Sequence, residues 1–347
     1  MNCCVNCFKD SEIRSIIDSY RNVGKCDFCG SDDVSIYDVN SKENPIADLI
    51  IGVIDIYNIS TSNYSKPLRK ALSEDWDIFK PNEESTLSLV KELCSSDPVS
   101  NNKFKENVEI FNLTSKNFLK KHSIIGDKSW RDFSEYIKRE NRFHANIFNA
   151  EKFGFYISKA QEKIYKNTIM YRARICPQKE GFKKTKMGAP PIDKRISGRV
   201  NPEGIGVLYL SLDSETVLNE TRASSLDFVS VGSFKSKKDI KIIDLTKFSE
   251  ISFTFFEDSL EEFAVNSKVL KDIALEIAKP LRRNDSPLEY LPTQYITEFI
   301  KSKGYDGVKY ASTLRSKGYN VAVFDESLLE CFDVRTIEIT DVKYDHT

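Results

Sequence analysis

The chain has 347 residues, with 51 Lys and Arg against 52 Asp and Glu and a formal net charge of −1. Charge so evenly balanced supplies no global field to draw the protein onto DNA or a membrane, and neither is expected as a partner. An apolar content of 40% is enough for real cores, and the length exceeds what one core usually serves, so more than one domain is expected.

Eight cysteines crowd toward the start: Cys3, Cys4, Cys7, Cys26 and Cys29 lie close together, and Cys94, Cys176 and Cys331 are scattered. Met1 leads straight into this polar segment, without the basic stretch and apolar run of a secretory leader. The most apolar run, residues 47–57, is broken by Asp48 and Asp55 and is too short to span a bilayer. A cytoplasmic location is therefore expected, and in that reducing compartment paired cysteines point to metal rather than to disulfides. Cys4 with Cys7, and Cys26 with Cys29, form two C-x2-C knuckles separated by 18 residues, a spacing typical of a four-cysteine zinc site. Each knuckle turns two thiolates toward one point. Four sulfur ligands leave a tetrahedral ion no open position, so a structural zinc is expected in a subdomain of residues 1–40. Cys3 competes with Cys4, although its C-x3-C spacing fits a knuckle less well, and the plain alternative is a set of free thiols. Gly30 stands where the chain leaves the second knuckle and is expected to turn with positive φ. Residues 10–18 read as a helix between the knuckles.

Residues 41–160 read as a helical domain. Thr86 to Leu93 and Trp130 to Ile137 both repeat apolar residues at three- and four-residue spacing, and residues 95–102 between them are a turn-rich break. Arg139 and His144 form an R-x4-H pair in this helical context, and Trp130 and Phe143 are expected to pack in its core. From about residue 165 the pattern changes to short β-rich runs. Strands are expected at 168–175, 206–212, 228–234, 240–245, 307–310 and 320–324, with helices at 260–278 and 290–303 among them. The boundary is placed near residues 156–165, a segment that itself has helical character.

Three local frames stand out in the β-rich part. The first is Met170-Tyr171-Arg172-Ala173-Arg174. The second is Gly198-Arg199-Val200-Asn201-Pro202-Glu203-Gly204, followed by Val207-Leu208-Tyr209-Leu210 and then Asn219-Glu220-Thr221-Arg222. The third is Tyr305 to Ser312, closed by Asn320-Val321-Ala322-Val323-Phe324-Asp325. In order and spacing they resemble the RES domain, named for its arginine, glutamate and serine. The resemblance implies an NAD-consuming toxin with an ADP-ribosyltransferase-like fold over residues 161–335. The expected fold class is therefore α+β, with a small zinc subdomain and a helical domain ahead of the RES domain. Some RES proteins carry a HEPN-like amino-terminal region, and R-x4-H is the spacing of the HEPN ribonuclease motif.

The resemblance also assigns roles. Breaking the nicotinamide–ribose bond passes through an oxocarbenium-like state, so it requires cationic donors for the pyrophosphate, a planar surface for the ring, and a carboxylate near the growing positive charge. Arg172 and Arg199 are the expected donors, with Arg174 competing because alternation puts it on the face of Arg172. Tyr209 is the expected ring surface. Glu220, on a helix that Asp213 can cap, is the expected carboxylate. Ser312 is the expected hydroxyl for the ribose. Here the third frame reads Ser312-Thr313 where family members often have paired serines, which leaves Thr313 and Ser316 as alternatives. NAD is the implied substrate and an antitoxin or regulatory protein the implied partner, with a homo-oligomer left open. Hydrolysis, phosphorolysis and ADP-ribosyl transfer share the same bond cleavage. A ribonuclease acting through Arg139 and His144, and a zinc-dependent binding module, are the competing readings.

Overall fold

The structure, a computed structural model, describes residues 1–80, 82–282 and 284–342. Helix and sheet are mixed through the chain, giving the expected α+β class. Two compact units are formed: Met1–Asp127 with Ser249–Leu270, and Lys128–Phe248 with Lys271 onward.

The first unit opens with a small sheet in which Asn2–Cys4 and Val23–Gly24 both pair with Val34–Asp38. The expected helix between the knuckles runs Ser11–Ser19, and Asp10 caps it by accepting from the Glu12 and Ile13 amides. Helices Pro45–Asp55, Leu68–Trp76 and Glu83–Leu93 follow, and a second small sheet joins Asn58–Ile59, Lys66–Pro67 and Asn107–Glu109. Trp76 packs at 5.9 Å from both Phe253 and Phe263, which ties the 249–270 segment into this unit's core.

The second unit is built on one eight-stranded sheet. Its strands, in chain order, are β1 (Gln161–Ile164), β2 (Ile169–Cys176), β3 (Leu208–Ser211), β4 (Phe228–Ser236), β5 (Ile240–Asp244), β6 (Gly307–Ala311), β7 (Tyr319–Val323) and β8 (Leu329–Glu338). The spatial order is β8-β4-β2-β3-β7-β6-β5-β1, antiparallel throughout except for the parallel pair β5–β6. One face buries Met170, Leu208, Leu210, Phe234, Val321 and Val323. Opposite it, Val229, Val231 and Val217 form a smaller core. The alternation of apolar residues along each strand sorts them onto these faces.

Helices α1 (Trp130–Arg139), α2 (Ala150–Lys159), α3 (Ser214–Thr221), α4 (Leu260–Ala278) and α5 (Leu291–Ser302) complete the parts used below. Phe133 and Phe148 pack edge-on against Tyr295 at 5.8 and 5.1 Å, and Phe153 lies 5.4 Å from Phe299. These aromatic contacts hold α1 and α2 to α5, so compactness divides the chain at Asp127, ahead of the change in sequence pattern near residue 160. Trp130 stacks on Phe133 at 5.4 Å as expected. Phe143, expected in the core, is instead 81% exposed, because α1 ends at Arg139 and the chain turns on Asn141, whose side chain accepts from the Phe143 and His144 amides.

Candidate active site

Strands β2 and β3 share a single ladder pair, Tyr171 with Ser211. Where the ladder stops, a cleft of about 470 Å³ opens, lined by Arg172, Arg199, Tyr209, Ser211, Glu220, Tyr290, Tyr310 and Asn320 among others. All of its walls come from the second unit.

Glu220 is carried on α3, which Asp213 caps through the Glu215 and Thr216 amides as expected. Its Oε1 accepts two hydrogen bonds, from Ser312 Oγ at 2.8 Å and from Asn320 Nδ2 at 2.7 Å. Its Oε2 lies 3.6 Å from Arg199 Nη2. Two hydrogen-bond donors and one guanidinium therefore converge on one carboxylate.

Arg199 sits on a loop that is held from both sides. Gly198 accepts a bond from the Asn201 amide and donates one back, and a Cβ at Gly198 would come within 2.6 Å of the Tyr209 hydroxyl, so only glycine lets the loop approach β3 this closely. Tyr209 donates to Asn201 Oδ1 at 2.6 Å and accepts from the Val200 amide at 3.2 Å. Behind the loop, α5 supplies Thr293 to the Arg199 carbonyl (2.7 Å), Gln294 to the Gly198 and Asn201 carbonyls (2.7 and 3.0 Å), and Thr297 to the Val200 carbonyl (3.1 Å). The Arg199 guanidinium lies 5.3 Å from the Tyr310 ring centre and donates to the Ala278 carbonyl at 3.0 Å, at the negative end of α4. Burial opposes its charge, but Tyr310 and Glu220 outweigh burial and hold it above its ordinary value.

Arg172 is differently placed. Alternation points it to the face of Met170, yet its Nη1 lies 3.4 Å from the Tyr209 carbonyl, so the guanidinium occupies the gap where β2 and β3 separate. Its Nε is buried with no hydrogen-bond partner. Burial, and then the nearby Arg174, push it down to about 10. Glu326 acts on it from a distance in the opposite sense, but among the described residues no carboxylate pairs with it within 4 Å. Arg174, the competitor, is engaged elsewhere: it donates to the Lys186 carbonyl and stacks 4.4 Å from the Phe182 ring centre. It does not line the cleft.

The RES domain family matches residues 169–345, just over half of the chain. The chain belongs to the RES-domain family. No curated protein matches it. Among solved structures it is similar to a chain of the M. tuberculosis MbcT–MbcA toxin–antitoxin complex, at 13% identity and a TM-score of 0.34, over 54% of this chain and 93% of that one.

Within the RES domain, Arg172, Arg199, Tyr209 and Glu220 all line the cleft, whereas Ser312 stands behind Glu220 and gives it its hydroxyl. Thr313 turns away to the Ala278 carbonyl at 3.5 Å. Sequence reasoning passed over Tyr290, Tyr310 and Asn320. Asn320 carried a readable signal, because an amide inside the run Val321-Ala322-Val323 is out of place in a strand unless it has a partner. Tyr310 is nearly sealed from solvent at the cleft wall, and burial raises its hydroxyl to about 12.

The R-x4-H pair does not share a helix. Arg139 is the last residue of α1 and pairs with Glu135 at 2.7 Å, while His144 follows the Asn141 turn. Near it, a larger groove of about 760 Å³ runs between Phe143, Pro202, Leu288, Tyr295 and Phe299, with mostly apolar walls in which Arg142 stands with Glu203 and Glu298.

In the first unit, the Sγ atoms of Cys4, Cys7, Cys26 and Cys29 all lie within 4.8 Å of one another. The Cys4–Cys29 and Cys7–Cys26 separations are 3.4 Å and Cys4–Cys7 is 3.9 Å. A tetrahedron of sulfurs about 2.3 Å from zinc has edges of roughly 3.8 Å, so the cluster has the size of that site. Cys26 Sγ also accepts the Phe28 and Cys29 amides at 3.4 Å. Gly30 has the expected positive φ, +74°. Cys3, the alternative ligand, is buried outside the group, and burial raises its thiol to about 12.

Proposed function

We propose that this RES-domain protein cleaves the nicotinamide–ribose bond of NAD. The observation that carries the reading is the presence, in one cleft, of a carboxylate held by two hydrogen-bond donors and a guanidinium, and of an arginine whose buried Nε has no partner. Arg172 is suited to the pyrophosphate, since a phosphate oxygen would satisfy the orphaned Nε and set a negative charge directly against a buried guanidinium. Arg199 is already committed to Glu220 and the end of α4, so its part is to hold the carboxylate and wall the site. Tyr209, Tyr290 and Tyr310 offer aromatic surface for the rings of the dinucleotide.

In this reading the C1′–N bond breaks and nicotinamide leaves as a neutral molecule with the bonding electrons. Positive charge is left on the ribose, and Glu220 stabilises it. The oxygen of water, of phosphate or of a protein side chain then bonds to C1′, giving hydrolysis, phosphorolysis or ADP-ribosyl transfer. An enzyme that drains NAD in the cytoplasm requires restraint, and an antitoxin or regulatory protein is the partner implied. The four cysteines hold one structural zinc. Among the described residues no helix is long and apolar enough to cross a membrane.

The test is to incubate the purified protein with NAD, with and without phosphate, and to identify products by mass spectrometry. Release of nicotinamide is expected, and its partner product names the reaction. NAD that survives unchanged overturns the proposal.

A further inference from the structure

Glu220 is served by a row of side chains that the sheet register places in line. Ser211 on β3 pairs with Asn320 on β7, which pairs with Tyr310 on β6. Directly opposed residues of antiparallel strands point to the same face. Ser211 donates its hydroxyl to Asn320 Oδ1 at 2.7 Å, and Asn320 Nδ2 donates to Glu220 Oε1 at 2.7 Å. Both polar side chains are nearly sealed from solvent, Ser211 at 1% and Asn320 at 4% exposure. The amide orientation is fixed by what it meets. Reversed, it would set its oxygen 2.7 Å from a carboxylate oxygen, with no hydrogen between them.

We propose that Asn320 is a positioning residue for the reaction: relayed from Ser211, it locks Glu220 by one oxygen so that the other is presented to the ribose. The proposal rests on the NAD-cleaving reading of the same cleft. Its logic is geometric. Ser312 also donates to Oε1, and its own oxygen is occupied by the Leu314 amide at 3.2 Å. Oε1 is thus held by two donors, and Oε2 carries the contact to Arg199. The Asn320 oxygen takes the Ser211 hydroxyl and one of its two N–H bonds goes to Glu220 Oε1, so the bonds it makes lead to the reaction through Glu220. Arg172, assigned to the pyrophosphate, bonds instead to the Tyr209 carbonyl. Loss of Asn320 should therefore change turnover rather than binding.

The experiment compares wild type, Asn320→Ala and Asn320→Asp for NAD cleavage, with folding followed by circular dichroism. Asn320→Ala should lower kcat about 10-fold to 100-fold, the scale of a lost preorganising donor, and leave KM nearly unchanged. Asn320→Asp keeps the shape and gives a titrating donor. Protonated, its carboxyl can still donate to Glu220. Ionised, it sets a second negative charge against the first. The kcat of Asn320→Asp should therefore be greatest at the acid end of pH 5 to 8 and fall as pH rises, unlike that of wild type. A wild-type kcat in Asn320→Ala, or a rise in KM alone, overturns the proposal. If Asn320→Ala does not fold, the pH profile of Asn320→Asp decides, and a profile parallel to wild type overturns it. A wild-type protein inert toward NAD instead overturns the reading of the cleft, and this inference with it.

Discussion

Arg172 and Arg199 bring the same guanidinium to one cleft under opposite electrical conditions. Arg199 has Glu220 at 3.6 Å and two carbonyls at the end of α4, whereas Arg172 has a carbonyl at 3.4 Å, a buried unpartnered Nε, and Arg174 as a like-charged neighbour. A bound phosphate would complete the second and do little for the first. Arg172→Lys keeps a charge but loses the planar fork, so KM for NAD should rise about tenfold or more with a smaller change in kcat. A KM at the wild-type value would remove Arg172 from the binding role. Glu220→Gln is the complementary test, because it keeps shape and hydrogen-bonding capacity and removes the negative charge. Cleavage should fall by about 10²–10³. A Glu220→Gln protein that consumes NAD at the wild-type rate would refute the assignment of the carboxylate. These positions were legible in the sequence because the frames that hold them occur in the order and spacing of the RES domain. Their partners were not, because Asn320 meets Glu220 only when residues 100 positions apart are brought together.

At the scale of elements, the Arg199 loop is shaped by α5 rather than by its own sequence. Gln294 alone gives its amide to Ser197 Oγ at 2.8 Å and to the Gly198 and Asn201 carbonyls at 2.7 and 3.0 Å, while nearly sealed from solvent. Gln294→Ala would strand these acceptors, at a cost of about 1–3 kcal/mol. Urea denaturation should show that loss together with reduced NAD turnover, and a change below about 0.5 kcal/mol would show that the clamp is dispensable. Helix α4 was readable to its ends from its periodicity, and six strands were readable from short β-rich runs closed by turns. Two strands escaped. Strand β1 is four residues with three polar ones, and β8 mixes Glu330, Asp333, Arg335 and Glu338 into an edge, where only one side has a partner strand. Edge strands carry charge to discourage further pairing, which weakens the very alternation that would reveal them. The R-x4-H spacing misled for a related reason: periodicity marks a helix but not its end, and the Asn141 turn falls between the two residues.

At the scale of the whole molecule, the four-cysteine group and the cleft lie in separate compact units, and every wall of the cleft belongs to the second. The first unit's opening segment has a small sheet, two of whose three strands are two and three residues long, and a small buried core of Phe8, Ile13, Ile17 and Tyr37. Burial drives the Cys7 thiol well above its ordinary value and Cys4 to about 12, while Cys29, despite burial, is brought down to about 7 by its bonds to Ser31 and the neighbouring cysteines, so without metal the four sulfurs are crowded together by weak sulfur hydrogen bonds. A divalent ion would replace those contacts with four coordinate bonds. Elemental analysis of protein purified without chelators should therefore find about one zinc per chain, and X-ray absorption should find four sulfur ligands near about 2.3 Å. Cys26→Ser should raise hydrogen exchange across residues 1–40 and leave that of the sheet β1–β8 unchanged. NAD cleavage by Cys26→Ser should stay within about twofold of wild type, since no group in the cleft reaches it through the metal. Protein that contains no metal, with Cys26→Ser exchanging as wild type does, would leave the cysteines as buried thiols. Loss of cleavage with the sheet still protected would instead make the zinc unit part of the enzyme's working state.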